Sequence, residues 1–534
     1  TFGDAPSHIS TVDATEVLRV LEDKNIVVAS INTHSKNNGF DARGSSRISN
    51  RDKAAPYELT TTEGQSTAIS RVTGGTSHHN ISGSEATVKA ILDAVAAGIG
   101  QAGSAAPVSF SANTLTEGTM VFVPKFDSKK WSGDLEGWKL NPATGAFATR
   151  EWRAASKLST RTPTSRNLLT YKEGNGVRFE WAQLSDAQQN DLRTKGDGTL
   201  GSVSDGQARL AYLRGDRSNE GAGKDFRVRA SRMGDVWHSG PIYVGKPNIS
   251  WLTRIEGGTP YTEYQRTHEG RTGMVYVGSN GGMLHGFDAA TGVEKMAYLP
   301  AALFSTAISK GYHVLTDPDY KHLSLYVDET PFLADARIGS EWRTLLVGGL
   351  GRGGRGVYAL DVTDPDELAD KSKANQTVLW EFNSDDDPHL GFTYSKPFVA
   401  YLNNGKWAAI FGNGINDLGT GMTGGKAQLF IVYLDGPGPD GIWNLDTDYH
   451  RITTSKGSTT ERNGLFTPKV VDVDGNGTAD LVYAGDLYGN LWRFDLSRTN
   501  AGDWESPDVP FFSGSKTRPI TSQPLIVSPP TSVT

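Results

Sequence analysis

Cysteine is missing from this chain of 534 residues. Its absence excludes disulfide bonds, cysteine-based zinc sites and catalysis by a thiol. It does not decide the cellular compartment, because proteins of reducing and of oxidising environments can both lack cysteine. The chain also has little excess of either charge: 53 Lys and Arg nearly balance 60 Asp and Glu, which gives a formal net charge of −7. So weak a charge argues against a nucleic-acid binder, which would carry a basic surface.

Long apolar runs are missing too. No stretch of about 18 consecutive apolar residues occurs, so the sequence predicts no membrane-spanning segment. Hydrophobic residues make up 37% of the chain, and the 62 glycines bring this share close to the globular average of about 45–50%. The high glycine content and the 12 Trp are typical of a β protein rich in turns. The length predicts about two to four domains.

The first 104 residues show an α/β pattern. Helices are predicted at 16–23 and 84–98, and a buried strand is predicted at 26–31. The chain opens without Met, at Thr1, and it ends just after a strand-like apolar stretch. We therefore interpret residues 1–104 as the end of an α/β domain whose beginning is missing, in an excerpt of a longer, processed protein.

From about residue 105 the apolar pattern changes to the period of two that β-strands show. Residues 105–234 form a mixed connecting region, with strands predicted at 108–111 and 120–123 and a helix at 185–193. From residue 235 onward the sequence is uniformly β, with many Gly, Asn and Asp turns.

A repeat runs through this last part. Buried strands that are each followed by a turn and a second strand begin at residues 275, 345, 409 and 481, with spacings of 70, 64 and 72 residues. Such a unit cannot cover its own apolar faces, whereas radial packing of several sheets covers them and leaves only short edges. The repeat therefore predicts a β-propeller over residues 235–534. A series of unrelated hairpins is the alternative.

Particular segments of the chain resemble known proteins. The stretch 278–288 resembles the repeat of quinoprotein-dehydrogenase-type propellers. Further segments follow in a fixed order, at 122–126 with 131–135, 227–229 with 233–241, 348–364, 387–391, and 405–407 with 412–414. Together they are similar to the C-terminal half of the PilY/PilC family of type IV pilus tip-associated proteins, over roughly residues 105–530. The N-terminal piece resembles the end of the von Willebrand A-like domain that many members carry.

The resemblance implies a mainly β fold, in which an incomplete α/β segment precedes a quinoprotein-dehydrogenase-like β-propeller. Strands from the region 105–234 would contribute to this propeller. It further implies an extracellular protein of the pilus tip or outer-membrane surface, without enzymatic activity. Such a protein acts with minor pilins in pilus biogenesis, twitching motility, cell adhesion and virulence. In this family a calcium loop in the propeller regulates pilus extension and retraction.

Two departures from the family pattern stand out. Residues 235–534 are enough for only about four or five units at the observed spacing, whereas the family propeller is described as a larger, modified ring. Either the ring is completed beyond residue 534 or residues before 235 contribute. The metal-binding Asp-x-Ser-x-Ser segment of the A-like domain is also absent, so metal-dependent adhesion by that domain is not expected.

A calcium loop is predicted at residues 472–480. Oxygen-bearing side chains recur at its positions 1, 3, 5 and 9, with Gly at position 6, and a hard cation such as Ca²⁺ prefers six to eight oxygens at about 2.3–2.6 Å. Position 12, where an EF-hand carries Glu, is Tyr, so the loop resembles the hairpin calcium loops of propellers instead. The predicted ligands are the side chains of Asp472, Asp474, Asn476 and Asp480 and the backbone carbonyl of Thr478.

A second candidate site is the tripeptide Arg214-Gly215-Asp216, which lies in a polar stretch. Some members of the family engage integrins through this tripeptide, so the resemblance implies a receptor contact here. Chance is the alternative, because Arg, Gly and Asp are common residues.

Two other functions remain open from the sequence. A quinone-dependent dehydrogenase would use a propeller of this kind, but the vicinal disulfide typical of that family is impossible without cysteine. Its candidate carboxylates, Asp317, Asp319, Asp361 and Asp364, sit in turns where hydrogen bonds to the local backbone explain them. The second alternative is a passive structural module of the pilus, which the sequence does not separate from an adhesin.

Overall fold

The computed structural model describes residues 30–31, 77–78, 109–111, 119–127, 129–141, 147–247, 260–320, 322, 324–415, 424–504 and 507–526. The chain divides into two compact units, one of Thr1–Ala105 with Phe126–Trp131 and one of Ala106–Lys125 with Ser132–Thr534. In the first unit, strand β1 (Ser30–Ile31) pairs in parallel with β2 (Ser77–His78). The helices predicted at 16–23 and 84–98, and most of the strand predicted at 26–31, lie outside the described residues.

The described part of the second unit contains five β-sheets that follow one another along the chain. Sheet 1 consists of β3 (Ser109–Phe110), β4 (Met120–Asp127), β5 (Ser132–Leu140) and β6 (Phe147–Arg153). Sheet 2 consists of β7 (Leu168–Lys172), β8 (Asn175–Arg178), β9 (Ile242–Val244), β10 (Met274–Ser279), β11 (Met283–Asp288) and β12 (Glu294–Tyr298). The β7–β8 hairpin extends sheet 2 because β7 pairs in parallel with its outermost strand, β12.

The other three sheets are antiparallel and follow the order of the chain. Sheet 3 consists of β13 (Phe332–Ile338), β14 (Glu341–Gly349), β15 (Gly356–Asp361) and β16 (Val378–Asn383). Sheet 4 consists of β17 (Phe398–Tyr401), β18 (Trp407–Gly412), β19 (Lys426–Tyr433) and β20 (Tyr449–Gly457). Sheet 5 consists of β21 (Lys469–Val471), β22 (Leu481–Gly485) and β23 (Leu491–Asp495).

Short helices fill the connections between the sheets. The predicted helix at 185–193 is confirmed: Ser185 caps its N-terminus in a reciprocal pair of hydrogen bonds with Gln188. None of the described helices is long and apolar enough to cross a bilayer. The α-helices among the described residues are α1 (Ala154–Thr160), α2 (Asp186–Arg193), α3 (Val203–Arg214), α4 (Tyr261–Thr267) and α5 (Ala374–Thr377). Short 3₁₀ turns lie at Pro163–Ser165, Trp181–Gln183, Ala301–Leu303, His313–Thr316, Gly351–Gly353, Glu367–Ala369, Lys371–Lys373 and Ala501–Asp503.

The central strands are buried on both faces, which explains the apolar runs of the repeat. In β14, Leu345 and Val347 belong to the core shared with sheet 4, whereas Leu346 belongs to the core shared with sheet 2. In β18, Phe411 points toward the core shared with sheet 3 and Ile410 toward the core shared with sheet 5. Because successive side chains of a strand point to opposite faces, one apolar strand supplies two cores.

Each pair of successive sheets encloses one apolar core, and edge strands of neighbouring sheets lie side by side. Strand β3 lies beside β9, β13 beside β17, and β17 beside β21. Sheets that pack face to face with one edge strand of each side by side have the radial arrangement of a β-propeller, so the predicted mainly β propeller is confirmed. Residues before 235 supply sheet 1 and the β7–β8 hairpin, and they therefore contribute to this arrangement.

Candidate metal centre

The predicted calcium loop connects the first two strands of sheet 5. Strands β21 and β22 pair in antiparallel fashion up to Val471 and Leu481, so residues 472–480 form the hairpin loop between them. Gly475 and Gly477 adopt the left-handed conformation, with φ of 72° and 85°. This conformation is costly for any residue with a Cβ atom, so the two glycines allow the loop to curl around one point.

Three carboxylates of the loop converge. Asp472, Asp474 and Asp480 can each offer one oxygen such that the three atoms lie within 4.8 Å of one another. Oxygens on opposite sides of one Ca²⁺ ion would lie about 4.6–5.2 Å apart, because each Ca–O distance is about 2.3–2.6 Å. The donor set is all oxygen, which suits a hard cation. The residues present therefore fit Ca²⁺.

Hydrogen bonds within the loop hold two of these carboxylates, those of Asp472 and Asp474. Asp472 accepts hydrogen bonds from the backbone N–H groups of Asn476, at 3.0 Å, and Gly477, at 2.6 Å. Asp474 accepts from the side-chain amide of Asn476 at 2.9 Å. The side-chain oxygen of Asn476 accepts the backbone N–H of Thr478 at 2.7 Å. The loop thus brings Asn476 to the carboxylates of Asp472 and Asp474, and Thr478 bonds to its side-chain oxygen.

The electrostatics of the cluster favour a bound cation. Asp472 and Asp474 are exposed, whereas Asp480 is buried. Three negative charges this close repel one another, and the repulsion is stronger where burial lowers the effective dielectric constant. A divalent cation held between them replaces this repulsion with attraction.

Sequence reasoning missed one residue of this site, Asn403, on the turn between β17 and β18 of sheet 4. Its side-chain amide donates to a carboxylate oxygen of Asp480 at 3.1 Å and to the carbonyl oxygen of Ala479 at 3.0 Å. The contact joins residues 77 positions apart in the chain. The local sequence around Asn403 signals only a turn, so the tertiary fold alone places this side chain at the loop.

The structure places the tripeptide Arg214-Gly215-Asp216 at the C-terminal end of α3. Arg214 is buried, and its guanidinium donates to the carbonyl oxygens of Phe179, at 2.9 Å, and Arg166, at 2.8 Å. Gly215 ends the helix in the left-handed conformation, with φ of 113°. Hydrogen bonds from Ser218 lower the pKa of Asp216. The receptor contact stays a prediction, but in this conformation the arginine binds the protein's own backbone.

We expect Arg214→Ala to destabilise the fold by about 3 kcal/mol. A hydrogen bond from a charged donor contributes about 1.5–3 kcal/mol, and the variant leaves buried carbonyl groups without their donor. Chemical denaturation measures the effect, with Arg498→Ala, the loss of an exposed arginine, as the control. Equal denaturation midpoints for Arg214→Ala and the wild type would contradict this assignment.

Three of the four carboxylates considered for dehydrogenase chemistry make the local bonds expected of turns. Asp317, Asp361 and Asp364 each accept the backbone N–H of the residue two positions ahead, at 2.8, 2.9 and 2.9 Å. Asp361 also pairs with Arg343 at 2.7 Å. This pattern is that of Asx turns, which stabilise loops without any ligand.

A Ser-His-Glu relay that resembles a hydrolytic triad lies inside sheet 2. His285 lies 3.2 Å from the hydroxyl of Ser279 and 2.8 Å from the carboxylate of Glu294. All three residues are at most 2% exposed, so a substrate has no access to the hydroxyl. Arg166 occupies both oxygens of Glu294, at 2.7 and 2.8 Å. The relay is therefore a buried ion-pair network that joins β10, β11 and β12 to the segment before β7.

Known proteins match this chain over most of its propeller. The family model described as the PilY1 beta-propeller domain matches residues 233–525. The type IV pilus biogenesis factor PilY1 of Pseudomonas aeruginosa strain PAK is 39% identical over 377 residues, which cover 69% of this chain and 30% of the relative. A PilY1 homolog of Xylella fastidiosa is 35% identical over 433 residues, which cover 79% of this chain and 31% of the relative.

A solved structure also matches. The crystal structure of the Pseudomonas aeruginosa PilY1 C-terminal domain is 33% identical, with 54% of this chain and 57% of that chain covered and a TM-score of 0.42. The chain spans about 30% of the length of the curated relatives it matches.

Proposed function

This chain belongs to the PilY1 β-propeller family, and on that premise we propose that it is a calcium-binding, non-enzymatic protein of type IV pilus biogenesis and a surface adhesin. The relatives are named as type IV pilus biogenesis factors, which supports a role in the pilus. Because the match covers only 30% of the relative's length, the role of the whole protein is part of the proposal.

One observation carries the calcium assignment: the convergence of the carboxylates of Asp472, Asp474 and Asp480 within 4.8 Å. Asn476 would add a side-chain oxygen and Thr478 a backbone carbonyl oxygen. Ca²⁺ suits such a curled, partly exposed loop because it accepts six to eight oxygens in flexible geometry. Mg²⁺ demands a stricter octahedron and retains its waters.

We place this protein outside the cell, at the pilus tip or on the outer-membrane surface, in contact with minor pilins. Calcium in the loop would then regulate pilus extension and retraction. A stiff propeller with exposed connecting loops suits this role, since binding functions concentrate on loops that a rigid scaffold positions.

The absence of enzymatic activity is also part of the proposal. Asp317, Asp361 and Asp364 make Asx turns, and the Ser-His-Glu relay is closed to solvent. Neither arrangement offers a reacting group to a substrate.

The experiment uses the full-length protein in the bacterium that encodes it. Deletion of residues 235–534 should abolish surface pili and twitching motility, and Asp480→Ala should alter the balance of extension and retraction. Asp495→Ala, at the exposed end of β23, is the matched control. Normal pili and motility after the deletion would refute the biogenesis role. If the deletion abolishes motility but the strain with Asp480→Ala moves normally, the passive structural module is favoured.

Receptor binding through Arg214-Gly215-Asp216 remains a separate proposal. It would require Arg214 to leave the carbonyl groups that it now binds. If the contact exists, Asp216→Glu removes binding to integrin-coated surfaces, and unchanged binding refutes it.

A further inference from the structure

We infer that Asn403, on sheet 4, is a positioning residue of the calcium site on sheet 5: it holds Asp480 in the orientation that binds the ion. The inference rests on the proposed calcium site and adds to it a residue outside the loop. It also implies that calcium links the loop of one sheet to the neighbouring sheet.

The Asp480 carboxylate is held from two sides. One oxygen accepts the side-chain amide of Asn403 at 3.1 Å, and the other accepts the backbone N–H of Val473 at 2.8 Å. A carboxylate oxygen has lone pairs for more than one partner, so these bonds fix the group and still leave room for a metal. Hydrogen-bonded outer partners of this kind orient the carboxylates that ligate metals.

Asn403 also fixes the backbone around Asp480. Its amide donates to the carbonyl oxygens of Ala479, at 3.0 Å, and Leu496, at 3.3 Å. Its side-chain oxygen lies 2.9 Å from the hydroxyl of Thr478. Beside it, the N–H of Ala479 donates to the carbonyl oxygen of Tyr401 at 2.8 Å. The C-terminal half of the loop, with two of the predicted ligands, is thereby tied to sheet 4.

The N-terminal half of the loop is held differently. The hydrogen bonds described for the carboxylates of Asp472 and Asp474 come from Asn476 and Gly477, within the loop itself. Calcium would therefore connect the C-terminal half of the loop, which sheet 4 holds, to the N-terminal half, which is held by bonds within the loop. Loss of Asn403 should weaken calcium binding although every ligand remains.

The test is calorimetric titration of Ca²⁺ into four proteins: the wild type, Asn403→Ala, Asn403→Leu and Asn404→Ala. Asn404 lies on the same turn, but its amide donates to the hydroxyl of Tyr433 at 2.8 Å instead of to the loop. Asn403→Leu keeps most of the side-chain volume and removes the hydrogen bonds. Loss of an outer partner typically weakens metal binding about 10–100-fold. We expect that loss for both Asn403 variants and wild-type affinity for Asn404→Ala.

Thermal unfolding with Ca²⁺ and with a chelator separates positioning from general stability. A merely structural role lowers the two unfolding midpoints of Asn403→Ala equally, whereas a positioning role reduces the gap between them. The inference is wrong if the wild type binds Ca²⁺ and both Asn403 variants bind it as tightly. It is also wrong if Asn403→Leu binds Ca²⁺ with wild-type affinity while Asn403→Ala does not. If the wild type binds no Ca²⁺, the calcium site itself fails.

Discussion

Asp480→Ala is expected to abolish the stabilisation that Ca²⁺ gives to this protein. The substitution removes the one buried carboxylate of the three that converge in the loop. A ligand that binds only the folded state stabilises it by about 2.7 kcal/mol at a free concentration one hundred times its Kd. The unfolding midpoint of the wild type should therefore rise by several degrees with Ca²⁺, and that of the variant should not change.

Comparison of each protein with and without Ca²⁺ isolates this effect. Asp480 also accepts hydrogen bonds from Val473 and Asn403, so the variant will lose stability without the ion as well. Asp495→Ala, which removes an exposed carboxylate from β23 of the same sheet, is expected to keep the full calcium-dependent rise. A full rise for Asp480→Ala would show that the ligand assignment is wrong.

Arg166→Met is expected to cost about 3–5 kcal/mol of the free energy of unfolding, because it leaves the buried Glu294 carboxylate without its guanidinium partner. Both side chains are 1% exposed, and the guanidinium donates a hydrogen bond to each oxygen of the carboxylate. Denaturation in urea measures the change. Arg166→Met combined with Glu294→Gln should be more stable than Arg166→Met alone. A loss below about 1 kcal/mol for Arg166→Met would contradict the assignment.

The same pair predicts how stability depends on pH. Burial opposes ionisation of Glu294, but the Arg166 charge and its hydrogen bonds outweigh burial and lower the pKa from 4.5 to about 2. A carboxyl group whose pKa is lowered by folding stabilises the folded state above its unfolded pKa. This contribution should therefore be lost as the pH falls from about 4.5 to about 2, and Arg166→Met should lack that loss. If the stabilities of the wild type and of Arg166→Met changed in parallel with pH over this range, the prediction would be wrong.

The repeat was predictable from sequence because its strands are buried on both faces. Two-sided burial demands continuous apolar residues, as at 345–347 in β14, and such runs are visible without any tertiary information. The β7–β8 hairpin carries no such signal. Its strands are short, and β7 joins sheet 2 by pairing Leu168 with Ala297, a partner far along the chain.

The candidate metal centre was likewise predictable only in part. The predicted ligands share one loop, so their spacing in the sequence predicts that they converge. Asn403 and the partners of Arg214 come from other elements, and only the packing of sheets and helices brings them together. A tripeptide that looks exposed in a polar stretch can thus have its arginine buried.

Calorimetric titration of the wild-type chain with Ca²⁺, and separately with Mg²⁺, decides whether this protein has a calcium site. We expect saturable binding of Ca²⁺ at the loop of Asp472, Asp474 and Asp480 and much weaker binding of Mg²⁺. No saturable binding of Ca²⁺, or equal affinity for the two ions, would contradict it.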